Sequence, residues 1–298
     1  MTCGMLPVFK PAGPTSAGVV RTVRDLTGQR GIGHGGTLDP GAEGVLVLAF
    51  GRATRLLSYL PDVKVYLAEA LLGRSTDSLD IHGRVLAEKQ VPPLTREEIA
   101  AQLARFLGVN LQTPPMISAR RHQGRRLYRL ARQGQTVFRP AQPVSIGHIR
   151  LLEFAPPRVR FEVSCSRGMY VRSLVAELGE SLACGACLAH LRRSFCSGFA
   201  ESACTTLEEL GREASQGRWR SRLVPPEEAL AHLPAVRVAA AGLADIRHGR
   251  PLAAPAEILT LGQRTFRLVA ADGRLHAVAR LEQNLLRMEK VLSADGEA

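Results

Sequence analysis

Gly33-His34-Gly35-Gly36-Thr37-Leu38-Asp39-Pro40 lies between two stretches that read as core elements. Upstream, Thr15 or Ser16 can cap a helix carrying Val19, Val20, Val23 and Leu26 on one face. Downstream, Val45-Leu46-Val47-Leu48-Ala49-Phe50 is a buried-strand run, and Leu6-Pro7-Val8-Phe9 before Lys10-Pro11-Ala12-Gly13 is another strand-like run. A glycine-rich loop with one carboxylate, gripped between core elements, is the kind of place where chemistry is mounted, because rigid flanks position loop side chains.

Further along, Thr95-Arg96-Glu97-Glu98 has the form of a capping box and predicts a helix running through Leu103 to Leu107. Thr113-Pro114-Pro115 interrupts regular structure, Val159 to Cys165 reads as a strand, and Tyr170 to Leu182 as a helix with Leu174, Leu178 and Leu182 on one face. Pro225-Pro226 and Pro234 mark a linker. Beyond it, Thr265 to Val269 and Leu275 to Ala279 flank Ala271-Asp272-Gly273-Arg274, a hairpin signal, and predict a small β-rich domain, a barrel.

The chain has 298 residues, 45% of them hydrophobic and 22% charged, enough for a sizeable core in one large domain and a small one. No apolar run approaches the roughly 18 residues of a membrane span, and Met1-Thr2-Cys3-Gly4 lacks the layout of a signal peptide, so a soluble cytoplasmic protein is expected. The net charge of +12 is unevenly placed: residues 99–152 hold nine arginines, and no acid falls between Glu98 and Glu153. A field so concentrated points to a polyanionic partner, because neutralising phosphates releases their counterions. Cys3, Cys165, Cys184, Cys187, Cys196 and Cys204 are too sparse for a disulfide scaffold. Cys184-Gly-Ala-Cys187 has the spacing of half a zinc knuckle or of a redox pair, but no second pair follows it, and structural thiols are expected.

Five blocks in order resemble the TruB-type tRNA pseudouridine synthases. They are Lys10-Pro11-Ala12-Gly13-Pro14-Thr15-Ser16; the Asp39 loop; Lys64-Val65-Tyr66 with Leu72-Gly73-Arg74-Ser75-Thr76-Asp77; Gln112-Thr113-Pro114-Pro115-Met116-Ile117-Ser118-Ala119; and Cys165-Ser166-Arg167-Gly168-Met169-Tyr170-Val171-Arg172 with Leu191-Arg192-Arg193. The resemblance runs over residues 5–200 and implies an α+β pseudouridine synthase fold around a mixed, largely antiparallel sheet, in a catalytic domain over residues 1–230. Residues 234–294, with Gly249-Arg250-Pro251-Leu252 and the Asp272-Gly273 hairpin, resemble a PUA-like RNA-binding barrel. Met169 stands where the family has Thr, and Phe9 where a small polar residue is common.

That resemblance implies isomerisation of the T-loop uridine at position 55 of tRNA by base flipping. The N1–C1′ bond breaks, the base turns, and C5 joins C1′, so neither cofactor nor metal is required. It assigns Asp39 as nucleophile at C1′ or base at C2′, Arg172 as its ion-pair partner, and Tyr66 as the group that stacks on the base and helps remove the C5 proton. His34, Tyr170 and Leu191, with Tyr66, are expected around the flipped nucleotide. Arg120, Arg121, Arg125, Arg126, Arg129 and Arg132, with Tyr128 among them, are expected on the phosphates of the T-arm. The implied enzyme is a monomer acting on tRNA with no membrane and no obligatory protein partner. Two alternatives are a guide-RNA-dependent synthase of the dyskerin type and a non-catalytic tRNA-folding chaperone.

Overall fold

The computed structural model describes residues 2–118 and 120–292, and of His122 and Arg132 it describes the backbone alone. The chain opens with β1 (Gly4–Lys10), α1 (Ser16–Thr27), β2 (Ile32–His34), β3 (Glu43–Phe50) and β4 (Lys64–Leu72). Then come β5 (Arg74–Thr76), β6 (Val85–Glu88), α2 (Arg96–Ala104), β7 (Gly108–Gln112), β8 (Arg121–His122), β9 (Arg125–Arg126) and α3 (Leu127–Arg132). The main sheet is completed by β10 (Gln142–Ala155), β11 (Arg158–Cys165) and, after α4 (Val171–Ser181), β12 (Ala186–Cys196), on which the short β13 (Phe199–Ala200) pairs.

In that sheet the strands run β1-β3-β12-β4-β11-β10-β7, with β2 on β3. Every neighbouring pair along that path is antiparallel except β12 with β3, which pair in parallel through Arg192 with Glu43 and Arg193 with Gly44. The mixed, largely antiparallel sheet is therefore present, and its one parallel joint lies beside the Asp39 loop. Gly44 adopts φ +106, and a Cβ there would fall 2.3 Å from the Arg193 carbonyl oxygen, so the joint closes only on a glycine.

Thr15 caps α1, its hydroxyl accepting from the Gly18 amide, and Val19, Val20 and Val23 pack under β1 and β3 with Leu210 and Trp219. Leu26 is exposed, at the end of the stripe. The capping box of Thr95 and Glu98 forms, but α2 stops at Ala104 rather than Leu107: Gly108 takes a left-handed φ of +88 and Leu107 is exposed. α4 carries Leu174 and Leu178, with Leu182 just past its end, into the core formed with β4, β11 and β12, as the periodicity predicts, and Val175 joins them.

A second sheet holds β14 (Ala235–Arg237), β15 (Leu252–Ala253), β16 (Thr265–Val269), β17 (Leu275–Glu282) and β18 (Leu285–Val291), in the order β14-β16-β17-β18-β15. It is the curled, half-barrel sheet of the expected PUA-like unit, and the Asp272-Gly273 turn joins β16 to β17. Residues 293 and 294 lie outside the described residues. Val269, Leu275, Val278 and Leu292 share one apolar cluster with Met5, Val45 and Val47, and Arg52 Nη1 donates to the Leu292 carbonyl at 2.8 Å. The proline-marked segment is docked as well: Pro226–Ala229 makes one helical turn and Leu230 is buried in that cluster. Among the described residues no helix is long and apolar enough to cross a membrane.

Candidate active site

Asp39 ends the glycine-rich loop, and Arg172 is the second residue of α4. Arg172 Nε reaches Asp39 Oδ2 at 2.9 Å, while Nη1 donates to the Ser78 carbonyl and Nη2 to the Ile117 carbonyl, each at 2.8 Å. The arginine side chain is 3% exposed and the aspartate 42%, so a buried, fully engaged fork aims a carboxylate into an open cleft. The helix start that carries Arg172 is fixed from outside. Tyr170, at the cap position, makes no side-chain cap, and Gln112 takes its place: Oε1 accepts from the Tyr170 amide at 2.7 Å and Nε2 donates to the Tyr170 carbonyl at 3.2 Å.

The loop itself is gripped by three buried polar side chains. Ser16 Oγ accepts from the Leu38 amide and donates to the Leu38 carbonyl. Lys10 Nζ donates to the carbonyls of Pro40 at 3.2 Å and Ala42 at 2.6 Å. Arg193 Nη2 donates to the Gly36 carbonyl at 3.1 Å, Nη1 to Thr37 at 3.4 Å, and Nε to Val45 at 2.8 Å. Burial lowers Lys10 to about 8, with Asp39 opposing that fall.

Asp39, Tyr66, Tyr170, Arg172 and Leu191 line one cavity of about 240 Å³, together with Gly35, Gly36, Lys64, Ser118 and Arg167. The structure thus brings five of the six expected site residues together. His34 ends β2 one residue before the lining begins. Burial pushes the Tyr66 hydroxyl up to about 12, opposed by the charge of Arg193. Lys64 is lowered by burial and then by Arg193. His34 is lowered by burial, by Arg193 and by Arg126, so it is neutral near neutral pH.

That Arg126 acts on His34 links two features that the sequence keeps apart. Arg125 and Arg126 form β9 of a hairpin with β8, and Arg120, Arg121, Arg125, Arg126 and Arg129 are all exposed. The Arg132 side chain lies outside the described residues. Ile117 and Ser118, which precede the hairpin, touch the site directly. Sequence reasoning gives Lys10, Lys64 and Arg193 no role, and Ser16 only that of an alternative cap for α1. Their signal was membership of the matching blocks, but a residue whose work is to hold a carbonyl has no local pattern of its own. Of the two departures, Met169 is buried in the cavity wall and Phe9 lies under the Arg192 guanidinium, 5.6 Å from the ring centroid. All six cysteines are free, with Cys184 and Cys187 buried, and among the described residues no cluster of three or more His, Cys, Asp or Glu is placed to hold a metal.

The mixed sheet, with a carboxylate and a guanidinium paired in its cleft beside a buried tyrosine, defines an enzyme of the pseudouridine synthase class. The TruB family pseudouridylate synthase N-terminal domain matches residues 24–171, and the tRNA pseudouridylate synthase B C-terminal domain matches residues 172–231. The chain is 42% identical to the tRNA pseudouridine synthase B of Moorella thermoacetica, over 98% of this chain and 100% of that one. It is 39% identical to the enzyme of the same name from Synechococcus sp. (strain WH7803), over 91% of this chain and 94% of that one. Among solved structures, a Cbf5-Nop10-Gar1 complex matches with a TM-score of 0.75 and 26% identity, over 97% of this chain and 85% of that one. The chain belongs to the TruB family of pseudouridylate synthases.

Proposed function

We propose that the protein isomerises the T-loop uridine at position 55 of tRNA, and that Asp39, Tyr66 and Arg172 carry the reaction. The observation that carries this reading is the 2.9 Å pair of Asp39 and Arg172 at the mouth of the cavity lined by Tyr66. Asp39 breaks the N1–C1′ bond, by attack at C1′ or by taking the C2′ proton. Either route needs a carboxylate aimed at the sugar, and the Arg172 fork supplies the aim. The freed base turns and C5 joins C1′, displacing the Asp39 carboxylate from C1′ or recovering the C2′ proton; the C5 proton passes to the Tyr66 phenolate, which then gives it up to solvent, and N1 takes up a proton. Bonds and electrons balance within the nucleotide, so the chemistry calls for no cofactor.

The uridine reaches Asp39 only when it leaves its stack, at a cost of a few kcal/mol. His34, Tyr170 and Leu191 surround the extruded nucleotide in this reading, and Arg120, Arg121, Arg125, Arg126, Arg129 and Arg132 hold phosphates of the arm. Residues 1–230 would form the catalytic domain and 234–294 a second RNA-binding unit. The enzyme would work as a cytoplasmic monomer. Identity of 42% to a tRNA pseudouridine synthase B, against 26% to Cbf5, favours tRNA over a guided substrate.

The test is tritium release from C5-labelled uridine in an unmodified tRNA transcript, with purified protein and no other RNA. Release that vanishes in Asp39→Ala is expected. Binding without release would favour the chaperone reading, and release only on adding a guide RNA would favour the dyskerin-type reading.

A further inference from the structure

Arg193 is one of the largest side chains with no solvent exposure, and among the described residues it forms no ion pair. Burying a cation costs several kcal/mol unless it is compensated, so its position calls for a physical account. Its hydrogen bonds supply one. The same planar group donates to the carbonyls of Gly36 and Thr37, three and two residues before Asp39 closes the loop, and to Val45 at the head of β3. In the register of β12 on β4, Arg193 is the direct cross-strand partner of Tyr66, so its charge lies beside the tyrosine and opposes the rise that burial imposes on the phenol. The Asp39 loop, the head of β3 and β4 at Tyr66, each more than a hundred residues before Arg193, therefore meet at one guanidinium.

We propose that Arg193 is a positioning residue of the reaction: it holds the Asp39 loop against the strand that carries Tyr66 and places beside that tyrosine the positive charge that favours its phenolate, the form that takes the C5 proton. This rests on the function proposed above. Arg193 does not touch the reacting atoms; it acts through Tyr66 and through the loop backbone. The geometry suits the task because a guanidinium cannot lose its proton and has five donors in one plane, so charge and distance are set together. The other titratable groups around Tyr66 are weaker candidates. Cys165 on β11 is pushed up to about 12 by burial, Cys196 on β12 is buried and free, and Lys64, two residues away on β4, is itself lowered by burial and by Arg193. Asp39 and Arg172 lie across the cavity and are paired with each other.

The experiment is single-turnover tritium release from tRNA, measured from neutral to alkaline pH in wild type, Arg193→Lys and Arg193→Met, with tRNA affinity measured alongside. Arg193→Met removes the charge, so the Tyr66 hydroxyl ionises at higher pH, and the deficit against wild type should shrink as pH rises. Arg193→Lys keeps a charge without the fork; a displacement on the ångström scale should lower its rate by about 10²-fold with its pH profile nearer that of wild type. Affinity for tRNA should stay unchanged in both. A deficit in Arg193→Met that is the same at every pH, or that is wholly accounted for by lost tRNA affinity, would overturn the proposal. A reading that needs no folded Arg193 variant is the ¹⁵N resonance of the Arg193 guanidinium in the otherwise intact protein. Tyr66→Phe should move it and Tyr170→Phe should not; no movement with Tyr66→Phe overturns the proposal. Absence of any release by wild-type protein would instead overturn the proposed function.

Discussion

The ion pair of Asp39 and Arg172 is asymmetric, and the asymmetry makes a prediction about which half holds the fold. Asp39 is 42% exposed, so its attraction to Arg172 is screened and its loss should cost about 0–1 kcal/mol. Arg172 does not depend on it, since Ser78 and Ile117 accept its other two donors and an Asn at position 39 still offers an oxygen to Nε. Asp39→Asn should therefore melt within about 2–4 °C of wild type. Its chemistry should fail, because an amide is neither nucleophile nor base, with single-turnover release down by at least about 10²–10⁴-fold. Arg172→Met reverses the balance. It strips the buried Ser78 carbonyl of its donor, at about 1–3 kcal/mol, and the part-buried Ile117 carbonyl at a smaller cost, while the half-exposed Asp39 turns to water. Its melting temperature should fall several times further than that of Asp39→Asn, and its activity should also be lost. Thermal melts and single-turnover assays on the two variants decide the matter. Equal destabilisation would refute the asymmetry, and an Asp39→Asn rate within about tenfold of wild type would remove Asp39 from the chemistry.

Replacing Arg125 and Arg126 with Gln should weaken tRNA binding and flatten its salt dependence by about 0.7–0.9 in slope for each phosphate left without its cation, while the chemical step stays nearly intact; an unchanged slope in filter binding would refute the role given to the hairpin. Gly44→Ala forces a Cβ onto the Arg193 backbone at a positive φ and should destabilise by more than about 4 kcal/mol, read as loss of soluble folded protein. Burial holds His34, His232 and His276 below the ordinary imidazole value of 6.5. The unfolded chain then binds more protons than the folded one, so this part of the stability is complete above that value and is lost as pH falls through it. Denaturant midpoints should drop from neutral to mildly acidic pH, and a smaller drop is expected for His34→Asn; an identical drop would exclude His34 from the linkage.

Much of this molecule was legible because its signals are local. The hydroxyl of Thr15, the reciprocal pair of Thr95 and Glu98, and the leucine spacing of α4 each act within a turn or two of chain, and each forms as read. The end of α2 was missed because it depends on where Leu107 packs, and nothing near Leu107 buries it. The greatest gap is β12, the strand at the centre of the sheet. His190, Arg192 and Arg193 interrupt its apolar pattern, and a buried arginine looks like a surface residue until its acceptors on β3 and the Asp39 loop are known. The site followed the same division. Asp39, Tyr66 and Arg172 carry side-chain chemistry that a motif can display, whereas Lys10, Ser16 and Arg193 work on carbonyls that any sequence would offer.

Those carbonyl acceptors also explain how the site tolerates so many cations. Lys10, Lys64, Arg172 and Arg193 are buried around the loop, yet Asp39 is the one carboxylate among the residues lining the cavity. Partnering each cation with its own acid would have satisfied their hydrogen bonds equally well. It would also have set several negative charges where a phosphodiester must enter, and like charges in a cleft of low dielectric repel strongly. Backbone oxygens satisfy donors of Lys10, Arg172 and Arg193 without adding charge, so the cavity stays positive, a field that would draw a nucleotide anion toward Asp39. The basic hairpin continues the same field outward through Arg126, whose charge already reaches His34 at the edge of the loop. Under the function proposed above, the net charge of +12 is one gradient, from exposed arginines that would take phosphates to buried cations that would leave Asp39 alone with the sugar.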